Sequence, residues 1–241
     1  MKKINKRPLV ILALGILIVG ASTVTATRAA IVYQTEAERV NFSTAVFSVD
    51  LQENVDGKYV SLDDKTGLQF PEIKKDGSLK IGKKYTEDVK VVNNSNPDTG
   101  YSEYVRVVVR KSWVRNDKKQ TILDPELINI ETASGWIENK AESTDEMSVY
   151  YRTTPLACGE EAPFITSVTI NSDITKYVTN VGTETAIKNE YTYNGESANI
   201  ELQADAVQTH NAKDAMYAAW GVKAEFTAED DGNITSISPV E

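Results

Sequence analysis

One histidine and one cysteine bound the chemistry open to this chain of 241 residues. A Ser-His-Asp hydrolase would have to use His210, which sits in Gln208-Thr-His-Asn211 with no nucleophile-elbow glycine pattern nearby. A zinc site built from several histidines is excluded by the count, and the His-Glu-x-x-His spacing is absent. Cys158 and His210 could in principle form a dyad, but no spacing supports one. His210 is therefore read as a packing residue at the start of a helix. Cys158, in Pro155-Leu-Ala-Cys-Gly159, is read as a small half-buried residue beside a turn; as the single cysteine it forms no intrachain disulfide. Two acidic groupings are read as solvated turns. Glu229-Asp-Asp-Gly-Asn233 lacks the spacing and closing Glu of a calcium loop, and Glu160-Glu161 is an isolated pair. No phosphate-binding glycine loop occurs. Trp113, Trp136 and Trp220 are read as core residues. The sequence assigns no catalytic residue, no metal and no cofactor.

The strongest positional pattern lies at the N-terminus. Lys2, Lys3, Lys6 and Arg7 precede an uncharged stretch over residues 8–27, and small residues lead to Thr27-Arg-Ala-Ala30. A basic start, an apolar middle and a small-residue end predict a secretory signal over residues 1–29, cut between Ala29 and Ala30. The alternative is retention as an N-terminal anchor, because an uncharged run of 20 residues can span a bilayer as a helix. Either way the basic residues stay on the cytoplasmic side.

From Ala30 onward the chain has 21 Lys and Arg against 35 Asp and Glu, a net charge of −14. Such a surface is repelled by nucleic acid and by anionic membranes, so nucleic acid is not an expected partner. The length admits one large all-β domain with a core that needs no disulfides. Together with the lone cysteine, this points to a bacterial exported protein.

The elements that must position these residues follow from periodicity. Residues 40–51 end in Phe47, Val49 and Leu51 alternating with Ser48 and Asp50, a half-buried strand. Residues 54–84, rich in Gly, Asp and Lys, read as mostly loop with short extended pieces, and residues 85–92 as a strand. Residues 93–100 form a dense run of turn formers. Residues 104–113 are the strongest strand, with Val105, Val107 and Val109 on one face. Short strands are predicted at 128–130, 136–137 and 148–152, and longer ones at 164–170 and 198–208. Residues 183–189 read as weak strand or loop. One helix is predicted over 212–220, capped by Asn211, favoured by Asp214 in its first turn, and closed by Gly221. Trp220 is expected to cover an open edge or end of the fold. A last short strand is predicted over 222–226, and the final residues read as frayed. The predicted fold is all-β: an antiparallel jelly-roll-like β-sandwich over residues 52–241 with one short C-terminal helix, preceded by an N-terminal signal helix.

Three stretches together resemble a family: Thr27-Arg-Ala-Ala-Ile31 running on to Phe47-Ser-Val-Asp-Leu51; Asn96-Pro-Asp-Thr-Gly100 followed by Tyr104-Val-Arg-Val107; and Leu202-Gln-Ala-Asp-Ala-Val-Gln208 leading to Ala219-Trp-Gly221. The chain resembles the exported matrix proteins typified by TasA and camelysin, whose signals are cut by a SipW-type signal peptidase, and is most similar in look to the BsaA-like biofilm matrix branch of clostridia. The resemblance implies a jelly-roll sandwich secreted to the cell surface or extracellular matrix of a Gram-positive bacterium. It also implies a homo-polymer made by strand donation, with minor matrix proteins or polysaccharide as further partners. The donor would be residues 30–51, with Ile31, Val32, Val40, Phe42, Val46 and Phe47 as anchors. Arg28 departs from the family pattern before the cut, and the polar stretch Gln34-Thr-Glu-Ala-Glu-Arg39 divides the donor in two. Camelysin has been described as a metalloprotease, so a surface metalloprotease is one alternative, although no zinc motif supports it here. A monomeric adhesin or binding module is another.

Overall fold

A computed structural model describes residues 48–62, 67–98, 100–183, 186–228 and 232–240, with side chains outside 180–188. In chain order the elements are β1 (Val49–Val55), β2 (Lys58–Ser61), α1 (Pro71–Asp76), β3 (Lys84–Asn93), β4 (Glu103–Arg115), β5 (Lys118–Gln120), β6 (Ile128–Thr132), β7 (Trp136–Glu138), β8 (Met147–Arg152), β9 (Glu161–Ile170), β10 (Val178–Thr183), β11 (Ala186–Tyr191), β12 (Ser197–Gln208), α2 (Ala212–Trp220), β13 (Val222–Phe226) and β14 (Ile234–Pro239). The protein is all-β, and every strand pairing among the described residues is antiparallel.

Two sheets carry the body. The first has the order β2-β1-β3-β9-β6; the second has the order β12-β4-β8-β7, with β5 beside the far end of β4. Between them lies the main core, where Val105, Val107 and Val109 of β4 meet Val89 and Val91 of β3 and Phe164 and Val168 of β9. The chain passes from one sheet to the other between β3 and β4, β5 and β6, β6 and β7, β8 and β9, and β9 and β12. Two further hairpins, β10–β11 and β13–β14, stand outside these sheets.

The outer face of the second sheet is also buried. Tyr104 and Val108 of β4, Val149 and Tyr151 of β8 and Val207 of β12 form a second core with Met216 and Trp220 of α2 and Val222 and Ala224 of β13. The run Tyr104–Val109 is apolar on both faces apart from Arg106, as a strand covered on both sides must be. Arg106 is accommodated by an ion pair to Asp205 at 2.7 Å and by stacking over the Trp220 ring at 5.2 Å.

Several local readings change. The stretch 54–84 holds the short extended piece β2, as expected, and a short helix, α1, that was not. Asp56 and Gly57, with φ of 52° and 87°, make the two-residue turn that joins β1 to β2, and Asp-Gly is the dipeptide such a turn favours. Asn116 and Asp117 do the same between β4 and β5, with φ of 49° and 59°. The weak stretch 183–189 belongs to the β10–β11 hairpin, and the tail is paired as β14 rather than frayed. Helix α2 falls where expected and ends on Gly221, at φ 68°, whose N–H donates to the Tyr217 carbonyl. Asn211 occupies the N-cap position in a left-handed conformation and makes no side-chain cap bond. His210 is exposed rather than packed. Trp220 covers the outer face of the second sheet instead of an edge, because β13–β14 and α2 together need that face to bury their own apolar residues.

Trp220 is 8 % exposed and meets Tyr151 edge-on with ring centroids 5.5 Å apart. Replacing it with Ala should cost about 3–5 kcal/mol by opening the second core. Urea denaturation followed by circular dichroism checks this; a cost below about 1 kcal/mol would mean the outer layer adds little to the body.

Candidate functional site

The feature with most capacity for interaction is the side of the sandwich where β12 and β1–β2 lie. Strand β12 pairs along all twelve of its residues with β4, from Ser197 opposite Val114 to Gln208 opposite Glu103. Its other edge carries no strand among the described residues. A strand of this length left open presents a row of backbone donors and acceptors to any extended chain. The inward side chains Ala198, Leu202 and Ala204 are half-buried, as are Val49, Leu62 and Leu68 on the facing side, and all pack against the main core. Small side chains on β12 and incomplete burial on both walls leave an apolar lateral seam. Of its outward residues Glu201 is exposed, while Asp205 is held by Arg106.

Beside the seam, Phe70, Ile73, Leu79, Trp113, Ile170 and Ile200 line an apolar cavity of about 470 Å³. Two acidic side chains are buried on the inner face of the first sheet nearby. Glu53 of β1 is fully buried and accepts hydrogen bonds from the backbone N–H groups of Gln69 and Phe70. Glu87 of β3 is 2 % exposed and bonds to Glu53; burial, and then the Glu53 carboxylate, push its pKa up to about 9. At the start of β4, Glu103 is fully buried with neither carboxyl oxygen hydrogen-bonded, and burial pushes its pKa up to about 8.

The opposite side of the sandwich is polar. A cleft of about 870 Å³ is lined by Lys111, Asp124, Glu126, Glu138, Lys140 and Tyr150, among others. The Lys111 ammonium donates to the Ile128 carbonyl at 3.2 Å, and burial lowers its pKa. Among the described residues no three His, Cys, Asp or Glu side chains converge as a metal-binding group.

The residues singled out from sequence are dispersed. Ala29, Ala30, Ile31, Val32, Val40, Phe42, Val46 and Phe47 lie outside the described residues, as does most of the acidic turn 229–233. Val49 and Leu51, assigned to the donor stretch, pair with Asn93 and Val91 of the chain's own β3. Glu160 accepts from the Ala157 N–H, and Glu161 pairs with Lys90. Cys158 is half-buried against Gly100, where a Cβ would come within 3.0 Å of its Sγ. Trp113 is core and donates its Nε1–H to the Asp124 carbonyl. Sequence reasoning missed Glu53, Glu87 and Glu103. The available signal was an acidic residue at an inward position of an alternating strand, as Glu53 is in Val49-x-Leu51-x-Glu53.

Comparison with protein-family models, with curated proteins and with solved structures returns no match to this chain.

The buried acids set a pH dependence. In the unfolded chain Glu87 and Glu103 ionise in the ordinary carboxylate range, whereas in the fold they keep their protons to about 9 and about 8. The folded state therefore binds more protons between these limits, and stability falls as pH rises through that window. The melting temperature should be higher near pH 5 than near pH 9. Glu87→Gln and Glu103→Gln should each flatten that slope and add on the order of 1–3 kcal/mol at alkaline pH. Thermal melts across pH check this, and a melting temperature that rises toward pH 9 would contradict it.

Proposed function

We propose that this chain is a secreted, non-enzymatic structural protein of a Gram-positive cell surface or biofilm matrix, polymerising by donation of its N-terminal arm. In this reading, residues 1–29 are removed by signal peptidase between Ala29 and Ala30, and the body is a jelly-roll-like sandwich. The donated arm is residues 30–47, because the chain from Val49 onward pairs within its own first sheet. The observation that carries the reading is β12, twelve residues paired on one side and bordered by a half-buried apolar seam. An arm of 18 residues spans about 60 Å when extended, more than the roughly 40 Å of a twelve-residue strand. Ile31, Val32, Val40, Phe42, Val46 and Phe47 supply apolar side chains for the seam. An arm passed from each subunit to the next is a head-to-tail contact that does not close, so it grows a filament. Minor matrix proteins or polysaccharide join such a fibre as further partners.

N-terminal sequencing of the secreted protein, with negative-stain imaging of the same sample, tests this. The expected result is a chain starting at Ala30 that forms fibres, while a variant lacking residues 30–42 stays a soluble folded monomer. Fibres unchanged in that variant would refute strand donation, and monomers alone at high concentration would assign a monomeric surface module. With −14 charges per subunit after the cut, repulsion opposes association. Fibre growth measured by light scattering should therefore speed up at lower pH or with added salt, and insensitivity to both would remove charge as the brake.

A further inference from the structure

Residues 67–76 form a strap over the inner face of the first sheet beside β1. Leu68 and Phe70 pack against the main core, and Phe70 and Ile73 form one wall of the 470 Å³ apolar cavity whose other side includes Trp113, Ile170 and Ile200. What fastens the strap is a carboxylate. Glu53 Oε1 and Oε2 accept from the Gln69 N–H at 3.0 and 2.8 Å, and Oε1 accepts from the Phe70 N–H at 2.9 Å. Glu53 can hold both amides only as an acceptor, and the carboxyl of Glu87 bonds to it as well.

Two carboxyl groups in contact and shielded from water cannot both carry a charge. The arrangement holds together with one proton, carried by Glu87 and donated to Glu53. Among the described residues, the charged groups that bear most on Glu87 are Glu53 from β1, Asp88 from β3 itself and Glu72 from α1, all acidic. Glu72 is itself bonded to the strand, accepting from the Thr86 N–H at 2.7 Å. On the other side, β9 sets Ile165, Thr166 and Ser167 opposite this stretch, none of them charged. No cation among these groups offsets a second negative charge.

We propose that Glu53 and Glu87 are a one-proton latch that keeps the strap 67–76 seated, and that loss of the proton unseats the strap and opens the apolar cavity behind it. Ionised Glu87 faces a carboxylate that cannot move away without releasing the Gln69 and Phe70 amides. Relief therefore comes through the strap, which has little regular structure beyond the six residues of α1, rather than through the paired strands β1 and β3. The device operates in a single subunit and does not depend on strand donation.

Hydrogen exchange of the whole secreted chain, read by mass spectrometry between about pH 6 and pH 9.5, tests the latch, with peptides of β9 correcting for the intrinsic exchange rate. Protection of residues 67–76 should fall by about tenfold or more beyond the fall that β9 shows from the loss of global stability. Glu87→Gln keeps a donor for Glu53 but cannot ionise, so its strap should stay protected throughout. The proposal is overturned if the wild-type strap keeps its protection to the top of the range, if Glu87→Gln loses it with the wild-type profile, or if the strap loses no more protection than β9.

Discussion

Strand β4 has to shed water from both faces at once, and the architecture is arranged around that demand. Val105, Val107 and Val109 need the first sheet across the main core, while Tyr104 and Val108 need α2 and the β13–β14 hairpin on the outside. Antiparallel sheets more often leave one face to solvent. Here a third layer is built on the second sheet from the last thirty residues of the chain. Arg106, the one charged side chain within the run, is kept by a short ion pair and an indole face rather than by water. The C-terminal elements are thus part of the body's stability.

The same enclosed interior accounts for the acids. A carboxyl group placed on an inward face gives up its hydration, and the fold compensates by leaving it protonated or by supplying amide donors. Glu53 receives two backbone amides, Glu87 receives Glu53, and Glu103 receives neither. Stability is thereby linked to pH through groups the solvent does not touch. The surface charge acts separately, through repulsion between molecules.

The two long sides of the sandwich differ in kind. The side of β6 and β7 is a polar cleft, with charged and hydroxyl groups between the sheets. The side of β12 and β1 is apolar, incompletely covered, and edged by a strand open along its length among the described residues. An extended apolar segment suits the second side, because it would satisfy the backbone groups of β12 and the half-buried side chains together.

Much of the body was legible in the sequence. Alternation marked β1 and β12, β-branched and aromatic content marked β4, strand-like runs marked β3 and β9, the turn formers of 93–100 marked the crossing between β3 and β4, and helix formers closed by a glycine marked α2. The Asp56-Gly57 and Asn116-Asp117 turns went unread, because the second strand of each hairpin, β2 and β5, is short and largely exposed, although short extended pieces were expected within 54–84. Period-two patterning states that the two faces of a strand differ, but it is silent on what covers each face. By itself the sequence determined the β-rich class, the helix and the absence of a multi-histidine site, all of which depend on residue types and neighbours a few positions apart. Only the tertiary structure decided that β4 is covered twice, that Trp220 lies on a face, that Glu53 and Glu87 share a buried site, and that β12 is an edge. Each of these depends on contacts between segments tens of residues apart, where burial, not local propensity, sets the free energy.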